Sequence, residues 1–380
     1  MISEISKTIS PFYVMEILEK AKQIESEGKS VIHLEIGEPD HNTDPSICAE
    51  AINAINKGET KYTHSLGTYE LRCEIADYYN SKYSTSVSPS NIVVTSGSSP
   101  ALYLAFLSML DPGDEIIITN PHYACYPQII RIAGGKPVYI KIGEEDNFQI
   151  DISRLKKAVT SKTKAVLINS PCNPTGMVLE TGVLKEISEL GIFVISDEIY
   201  HGLVYGEREH SMLEYTDRTI VTNGFSKLYS MTGWRLGYLI APDEFIRPVQ
   251  KLQQNLFISA NPFVQRAAIT ALRLKAEALD KIVSLYRKRR QVMHDGLIEN
   301  GFEIKKMPDG AFYFFVNATK YNTNSLELSF DILNRVNVAL TPGIDFGSGG
   351  EGYLRLSYAN SEENITEGLK RLNYYINKFL

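Results

Sequence analysis

Hydrophobic side chains recur along this chain in two periods, and the order of those periods outlines the fold. From Tyr13 to Glu27 apolar residues fall at helical spacing (Val14, Ile17, Leu18, Ala21, Ile24) and stop at Gly28, which predicts an amphipathic helix. A short apolar run from Val31 to Ile36 predicts a strand leading into the turn Gly37-Glu38-Pro39-Asp40. Helices are predicted over Ser46–Asn56 and Tyr69–Tyr83, joined by the polar loop Lys61–Gly67. From residue 92 onward the pattern changes to short β-branched runs separated by helical stretches. Strands are predicted at Ile92–Thr95, Glu115–Thr119, Ala165–Asn169, Phe193–Ser196, Thr219–Thr222 and Trp234–Ile240. Helices fall at Ala101–Leu110, Tyr126–Ala133 and Leu179–Leu190. Such alternation predicts an α/β fold with a mainly parallel sheet covered by helices.

After Asp243 long helices dominate to about Asn300, and then the pattern changes again. Strands at Phe302–Ile304, Phe312–Val316, Asn337–Leu340 and Tyr353–Ser357, with helices at Ser325–Asn334 and Ile365–Phe379, predict a smaller α+β domain. The expected division is a large domain over 45–285 and a small one built from 1–44 and 286–380.

Composition narrows the classes. The chain has 380 residues, 43% hydrophobic and 22% charged, which suits a globular protein with a sizeable core. A net charge of −6 argues against nucleic acid or an anionic membrane as partner. The basic run Arg287-Lys288-Arg289-Arg290 is expected to be a solvated helix face. Cys48, Cys73, Cys125 and Cys172 show no CxxC spacing, and the histidines show no metal-binding spacing, so no metal site is expected. The first residues lack a signal-peptide pattern and no apolar run reaches membrane-spanning length, so the expected location is the cytoplasm.

Chemistry gathers at the predicted strand ends, where parallel sheets bind ligands. Lys227 follows the strand at Thr219–Thr222 and has apolar neighbours; such a lysine loses its proton near neutrality and can form a Schiff base. Its other reading is a surface lysine beside a structural arginine, Arg235. Asp197 ends the run Phe193-Val194-Ile195, where its charge needs a partner, either a cationic ligand or a local arginine. Gly97-Ser98-Ser99 lies between a strand and a helix and reads as an anion site or as simple helix capping. Gly347–Gly352 precedes a strand, so it reads as a flexible turn and not as a dinucleotide loop.

Taken in order, Asn173-Pro174-Thr175-Gly176, Asp197-Glu198-Ile199-Tyr200, Ser226-Lys227 with Thr232-Gly233-Trp234-Arg235, and Tyr353-Leu354-Arg355-Leu356-Ser357 resemble the class I/II aminotransferases. The resemblance runs from Ile36–Asp40 through Gly310–Phe314 to the last helix and looks most like the aspartate aminotransferase branch. It implies fold type I of the pyridoxal 5′-phosphate enzymes and ping-pong transfer of an amino group between amino acids and 2-oxo acids. In that reading Lys227 holds the cofactor as a Schiff base and shuttles the proton, and Asp197 pairs with the ring nitrogen. Tyr200 and Asn173 bond the cofactor's phenolic oxygen, and Tyr123 stacks on its ring. Gly97, Ser98, Ser99, Ser226 and Arg235 hold the phosphate, and Tyr62 reaches it across a homodimer interface. Arg355, helped by Gly37 and Asn173, clamps the substrate α-carboxylate. No arginine or lysine stands out for a second substrate carboxylate, and the helix at Leu102–Leu107 is apolar, which counts against aspartate as substrate. Two rivals remain on this scaffold: a pyridoxal-phosphate-dependent C–S β-lyase, and a non-enzymatic effector-sensing module.

Overall fold

The computed structural model describes residues 1–379. The first strand, β1 (Ile32–His33), belongs to the smaller part of the molecule, and the large sheet follows it. That sheet contains β2 (Ile92–Thr95), β3 (Glu115–Asn120), β4 (Lys136–Lys141), β5 (Thr163–Asn169), β6 (Phe193–Asp197), β7 (Thr219–Gly224) and β8 (Gly237–Ile240). Their spatial order is β2-β8-β7-β6-β5-β3-β4. Only β8 runs antiparallel to its neighbours, pairing with β2 on one side and β7 on the other. Every residue of β2, β7 and β8 is buried, because helices cover both faces, and these strands therefore lack the apolar–polar alternation of a half-exposed sheet.

Four strands depart from expectation. β4 was not predicted: its exposed ends carry Lys136 and Lys141 and Pro137 interrupts the β-branched pattern, as an edge strand allows. Phe302–Ile304 forms no strand. The strand expected from Trp234 starts only at Gly237, because Arg235 adopts a left-handed φ of 54°. The strand expected over Val31–Ile36 is reduced to β1.

The smaller part comprises β9 (Tyr313–Asn317), β10 (Val338–Ala339), β11 (Thr341–Pro342) and β12 (Tyr353–Ser357). β11, β12 and β9 form an antiparallel sheet in that order, and β10 pairs in parallel with β1. The helices Tyr13–Ser26, Ser325–Val336 and Glu362–Phe379 accompany these strands. The expected boundary at 285/286 falls inside one continuous helix, Ala276–Glu299. That helix buries Tyr286, Arg289, Met293 and Leu297 at helical spacing.

Arg289 therefore departs from the solvated face expected of the basic run. It forms a two-pronged ion pair with Asp40, at 2.6 Å and 2.8 Å. Burial raises the Asp40 carboxyl, but His41 nearby at 3.7 Å and the paired Arg289 more than offset it and hold the group below its usual range. Arg290 bonds the Pro308 carbonyl at 2.7 Å, while Arg287 and Lys288 keep the exposed positions expected of the run, Lys288 paired with Glu362 at 2.8 Å. Gly347–Gly352 is likewise more ordered than expected, since Gly349 N–H donates to Asn120 Oδ1 at 2.8 Å. No helix among the described residues is long and apolar enough to cross a membrane.

Candidate active site

The carboxyl ends of β2, β3, β5, β6 and β7 open onto one cavity of about 310 Å³. β12 and the first turn of the helix Tyr13–Ser26 close its other side through Arg355, Val14 and Met15. The α/β topology thus delivers, to one edge, residues more than two hundred positions apart in the chain.

Lys227 follows β7 and points its amine into this cavity, where Nζ donates to the Gly37 carbonyl at 2.6 Å. The rings of Tyr200 and Phe312 lie 5.8 Å and 5.9 Å from it. Burial pulls its pKa down to about 8, and the cations Arg355 and Arg235 reinforce the shift, while Glu38 and Asp197 oppose it. A neutral amine is therefore accessible close to physiological pH, as carbonyl attack requires.

Asp197 ends β6 and accepts a hydrogen bond from the Tyr126 hydroxyl at 2.6 Å and one from Ile199 N–H at 3.3 Å. Burial pushes its carboxyl up to about 6, against those two bonds and the nearby Lys227 charge. No arginine pairs with it among the described residues, so the structural salt-bridge reading fails. A buried carboxylate held only by neutral donors favours a flat cation placed against it.

Arg355, on β12, is buried and sandwiched between the Tyr313 and Phe346 rings, 4.4 Å and 4.9 Å from its Cζ. Nη1 donates to Asn173 Oδ1 at 2.9 Å, and Nη2 donates to Thr341 Oγ1 at 3.1 Å and to the Glu35 carbonyl. Nε is buried without a partner, a donor left over for an anion. The Tyr200 hydroxyl meets the Tyr313 hydroxyl at 2.8 Å. Burial and the neighbouring Tyr313 raise the Tyr200 pKa well above the ordinary tyrosine value. Gly37 faces Tyr313 so closely that a Cβ there would collide with the hydroxyl.

At the opposite end of the cavity, Gly97 starts the helix Ser98–Met109 with no side-chain cap, so the capping reading of Ser98 and Ser99 fails. The first N–H groups of that helix, with Ser98, Ser99, the buried Ser226 and Arg235 beside them, form a cradle for an anion. Gly97 has φ 110°, and a Cβ on it would lie 2.7 Å from Arg235 Nη2, so the arginine lies against the loop. Tyr123 lines the cavity edge-on to Tyr126, with ring centroids 5.3 Å apart. Tyr62 stands apart: it is 81% exposed and does not line this cavity. No metal-binding cluster exists among the described residues.

Sequence reasoning missed four residues at the site. Tyr313 and Phe12 line the cavity, Tyr126 bonds Asp197, and Thr341 bonds Arg355. Tyr313 lies within the Gly310–Phe314 segment already noted, and Tyr126 starts a predicted helix; neither carries a local signal separating a site residue from core. An anion cradle, a buried carboxylate and an amine lining one cavity fit the phosphate, ring nitrogen and aldehyde of pyridoxal phosphate. The cavity volume suits that group.

Comparison with known proteins agrees with this geometry. The family model for aminotransferase class I and II matches residues 29–372. A (5-formylfuran-3-yl)methyl phosphate transaminase of Methanocaldococcus jannaschii is 44% identical, with 100% of both chains covered. A solved protein from Methanococcus jannaschii, described as similar in its active site to kynurenine aminotransferases, superposes with a TM-score of 0.92 at 44% identity, covering 99% of this chain and 100% of that one. The aspartate aminotransferase of Thermotoga maritima gives a TM-score of 0.94 at 36% identity, with 99% and 100% covered. Relatives named as aminotransferases favour amino-group transfer over the C–S lyase rival and over a non-enzymatic sensor. The chain belongs to the class I and II aminotransferases, fold type I enzymes that work with pyridoxal 5′-phosphate.

Proposed function

We propose that this cavity transfers amino groups between amino acids with uncharged side chains and 2-oxo acids, in a ping-pong cycle. The observation that carries the reading is the amine of Lys227, which shares one cavity with the Asp197 carboxylate and the Arg355 guanidinium and donates to the Gly37 carbonyl, with its pKa lowered to about 8. Pyridoxal phosphate, when bound, supplies an electrophilic aldehyde and a ring that accepts the electron pair left by a departing Cα proton.

The chain's own residues do the rest. The first amides of the helix Ser98–Met109, Ser98, Ser99, Ser226 and Arg235 hold the phosphate, Arg235 by charge-assisted bonds. Asp197 keeps a proton on the ring nitrogen, and Tyr126 holds Asp197 in place. Tyr123 covers the ring face. Tyr200 and Asn173 donate to the phenolic oxygen. Arg355 binds the substrate α-carboxylate, with Asn173 orienting its fork and Gly37 leaving room beside it. Lys227 would be the covalent anchor of the cofactor, and its amine would be the base that takes and returns the substrate Cα proton. The walls of Phe12, Met15 and Leu102 are apolar, and they exclude water and favour donors without a second carboxylate.

We also propose a homodimer with composite sites and a cytoplasmic location. Tyr62, 81% exposed, projects from a loop that Gln265 ties to Ala260 through Thr63, and Ile258, two residues before Ala260, is 48% exposed. Such an apolar, solvent-facing surface suits a second copy. Four unpaired cysteines suit a reducing compartment.

Borohydride reduction followed by peptide mapping tests the centre of this reading, with the cofactor expected on Lys227. A label on another lysine overturns it. A half-reaction screen of donors and acceptors then tests the substrate class. A furan aldehyde phosphate, the substrate in the name of the 44% relative, belongs among the acceptors because Phe12 and Tyr123 give the cavity aromatic walls.

A further inference from the structure

We propose that Asp345 is a positioning residue that latches the segment Phe12–Met15 over the cavity and thereby sets the size of side chain the site accepts. The helix Tyr13–Ser26 begins at Phe12, which has no group to cap it. Its first amides are satisfied from the far end of the chain: Tyr13 N–H donates to Asp345 Oδ1 at 2.9 Å, and Val14 N–H to Oδ2 at 3.2 Å. One carboxylate thus takes the place of a cap and also complements the helix dipole. The segment it holds forms cavity wall. Phe12, Val14 and Met15 all face the cavity, and the Phe12 ring sits edge-on to Tyr123 at 6.2 Å.

The turn that carries Asp345 is itself fixed. A Cβ on Gly343 would lie 2.6 Å from the Tyr353 carbonyl, and Ile344 N–H donates to Ser325 Oγ at 3.1 Å. The next residue, Phe346, stacks under the Arg355 guanidinium, and its carbonyl accepts from His122 N–H at 3.0 Å, one residue before Tyr123. One rigid turn therefore references the N-terminal wall to the carboxylate clamp and to the loop bearing Tyr123. The remainder of the helix is anchored independently by the buried Ile17, Ala21 and Ile24. Loss of Asp345 then frays the first turn and leaves the helix docked.

The inference rests on the proposed aminotransfer reading for its effect on substrates but not for the latch itself. The test uses full-length holoenzyme with Asp345→Ala, Asp345→Asn, Phe12→Ala and the Asp345→Ala/Phe12→Ala double variant. Amide hydrogen exchange over Tyr13–Met15 is expected to speed up about tenfold or more in Asp345→Ala, with exchange over Ile17–Ile24 unchanged. For phenylalanine as donor, KM is expected to rise about tenfold with kcat retained, while alanine changes less than about twofold, because only the larger side chain needs the wall. Asp345→Asn, which keeps one acceptor oxygen, should fall between. Phe12→Ala should reproduce the size-dependent loss, and the double variant should lose no more than Asp345→Ala alone. Equal losses for phenylalanine and alanine, additive losses in the double variant, or unchanged exchange at Tyr13–Met15 each overturn the latch. Faster exchange in a protein that turns over no amino donor, even as wild type, supports the latch and refutes the reading of the site.

Discussion

Replacing Arg355 with lysine keeps the positive charge and removes the fork. In the native arrangement Nη1 is tied to Asn173 Oδ1, Nη2 to Thr341 and the Glu35 carbonyl, and the plane is held between Tyr313 and Phe346. A guanidinium so fixed holds its spare donors, Nε among them, in a set direction toward a carboxylate, whereas an ammonium offers one point of attachment and must share it with those protein acceptors. Losing one charge-assisted hydrogen bond costs about 1.5–3 kcal/mol. At about 1.4 kcal/mol per factor of ten, that predicts a fall of roughly 10- to 150-fold in kcat/KM for amino acid donors. The assay is the half-reaction, followed as loss of the aldehyde-form absorbance after mixing holoenzyme with phenylalanine. Its control is 2-phenylethylamine, which has the same side chain and no carboxylate, and competition by 3-phenylpropionate supplies an equilibrium measure. The amine rate should change less than about threefold, and 3-phenylpropionate should weaken with the amino acid. If the amine falls by the same factor as phenylalanine, Arg355 acts on the position of Lys227 or Asn173 and does not clamp the carboxylate.

Three other outcomes are expected. Lys227→Met should abolish turnover and stabilise the apoenzyme at pH 7; since burial lowers the folded pKa to about 8 from a higher unfolded value, wild-type stability rises as the folded amine loses its proton, so the gain fades above pH 8. Thermal melts of both proteins across that range check the sign, and a gain that grows with pH refutes it. Asp197→Ala should lose about 10²–10³-fold in kcat and Asp197→Glu far less, because only a carboxylate keeps the ring nitrogen protonated; near-normal turnover in the alanine variant makes Asp197 structural. Tyr62→Phe should weaken cofactor affinity about tenfold, and hybrids with Lys227→Ala chains should recover it at the site that keeps its lysine; no recovery means that Tyr62 serves its own subunit.

Much of the site was legible because its residues sit where local patterns change. Lys227, Asp197 and Gly97 each follow a short buried strand, and strand ends of a parallel sheet are where a ligand belongs. Arg355 came from the resemblance alone, since an arginine alternating with Leu354 and Leu356 in a strand has no local mark of a site. The rest depended on contacts that no window of sequence contains. The Asp345 carboxylate meets Tyr13 across a separation of 332 residues, and Arg289 meets Asp40 across 249. Hydrophobic period reports which face of an element is buried; it does not report what that face meets. For the same reason Arg289 looked like part of a solvated basic run, and Tyr126 and Tyr313 looked like ordinary aromatic core. β4 escaped because an edge strand with lysine at both ends has little of the burial that makes a strand visible.

The antiparallel placement of β8 has a consequence for how cofactor length is read. Because β8 enters the sheet where β7 leaves it, the two strands close a hairpin at the Gly224–Gly237 pair. That hairpin carries both Lys227 and Arg235, and a Cβ on Gly237 would lie 2.5 Å from Ser98 N, so its far side is pressed onto the start of the helix that cradles an anion. The span from the Lys227 amine to the Arg235 guanidinium, the proposed phosphate clamp, is thus set by the closure of one loop, as on a ruler with both marks cut into the same piece. A ligand whose aldehyde and phosphate stand at another distance meets one mark and misses the other, and an insertion within the loop would reset the ruler without touching any residue that binds.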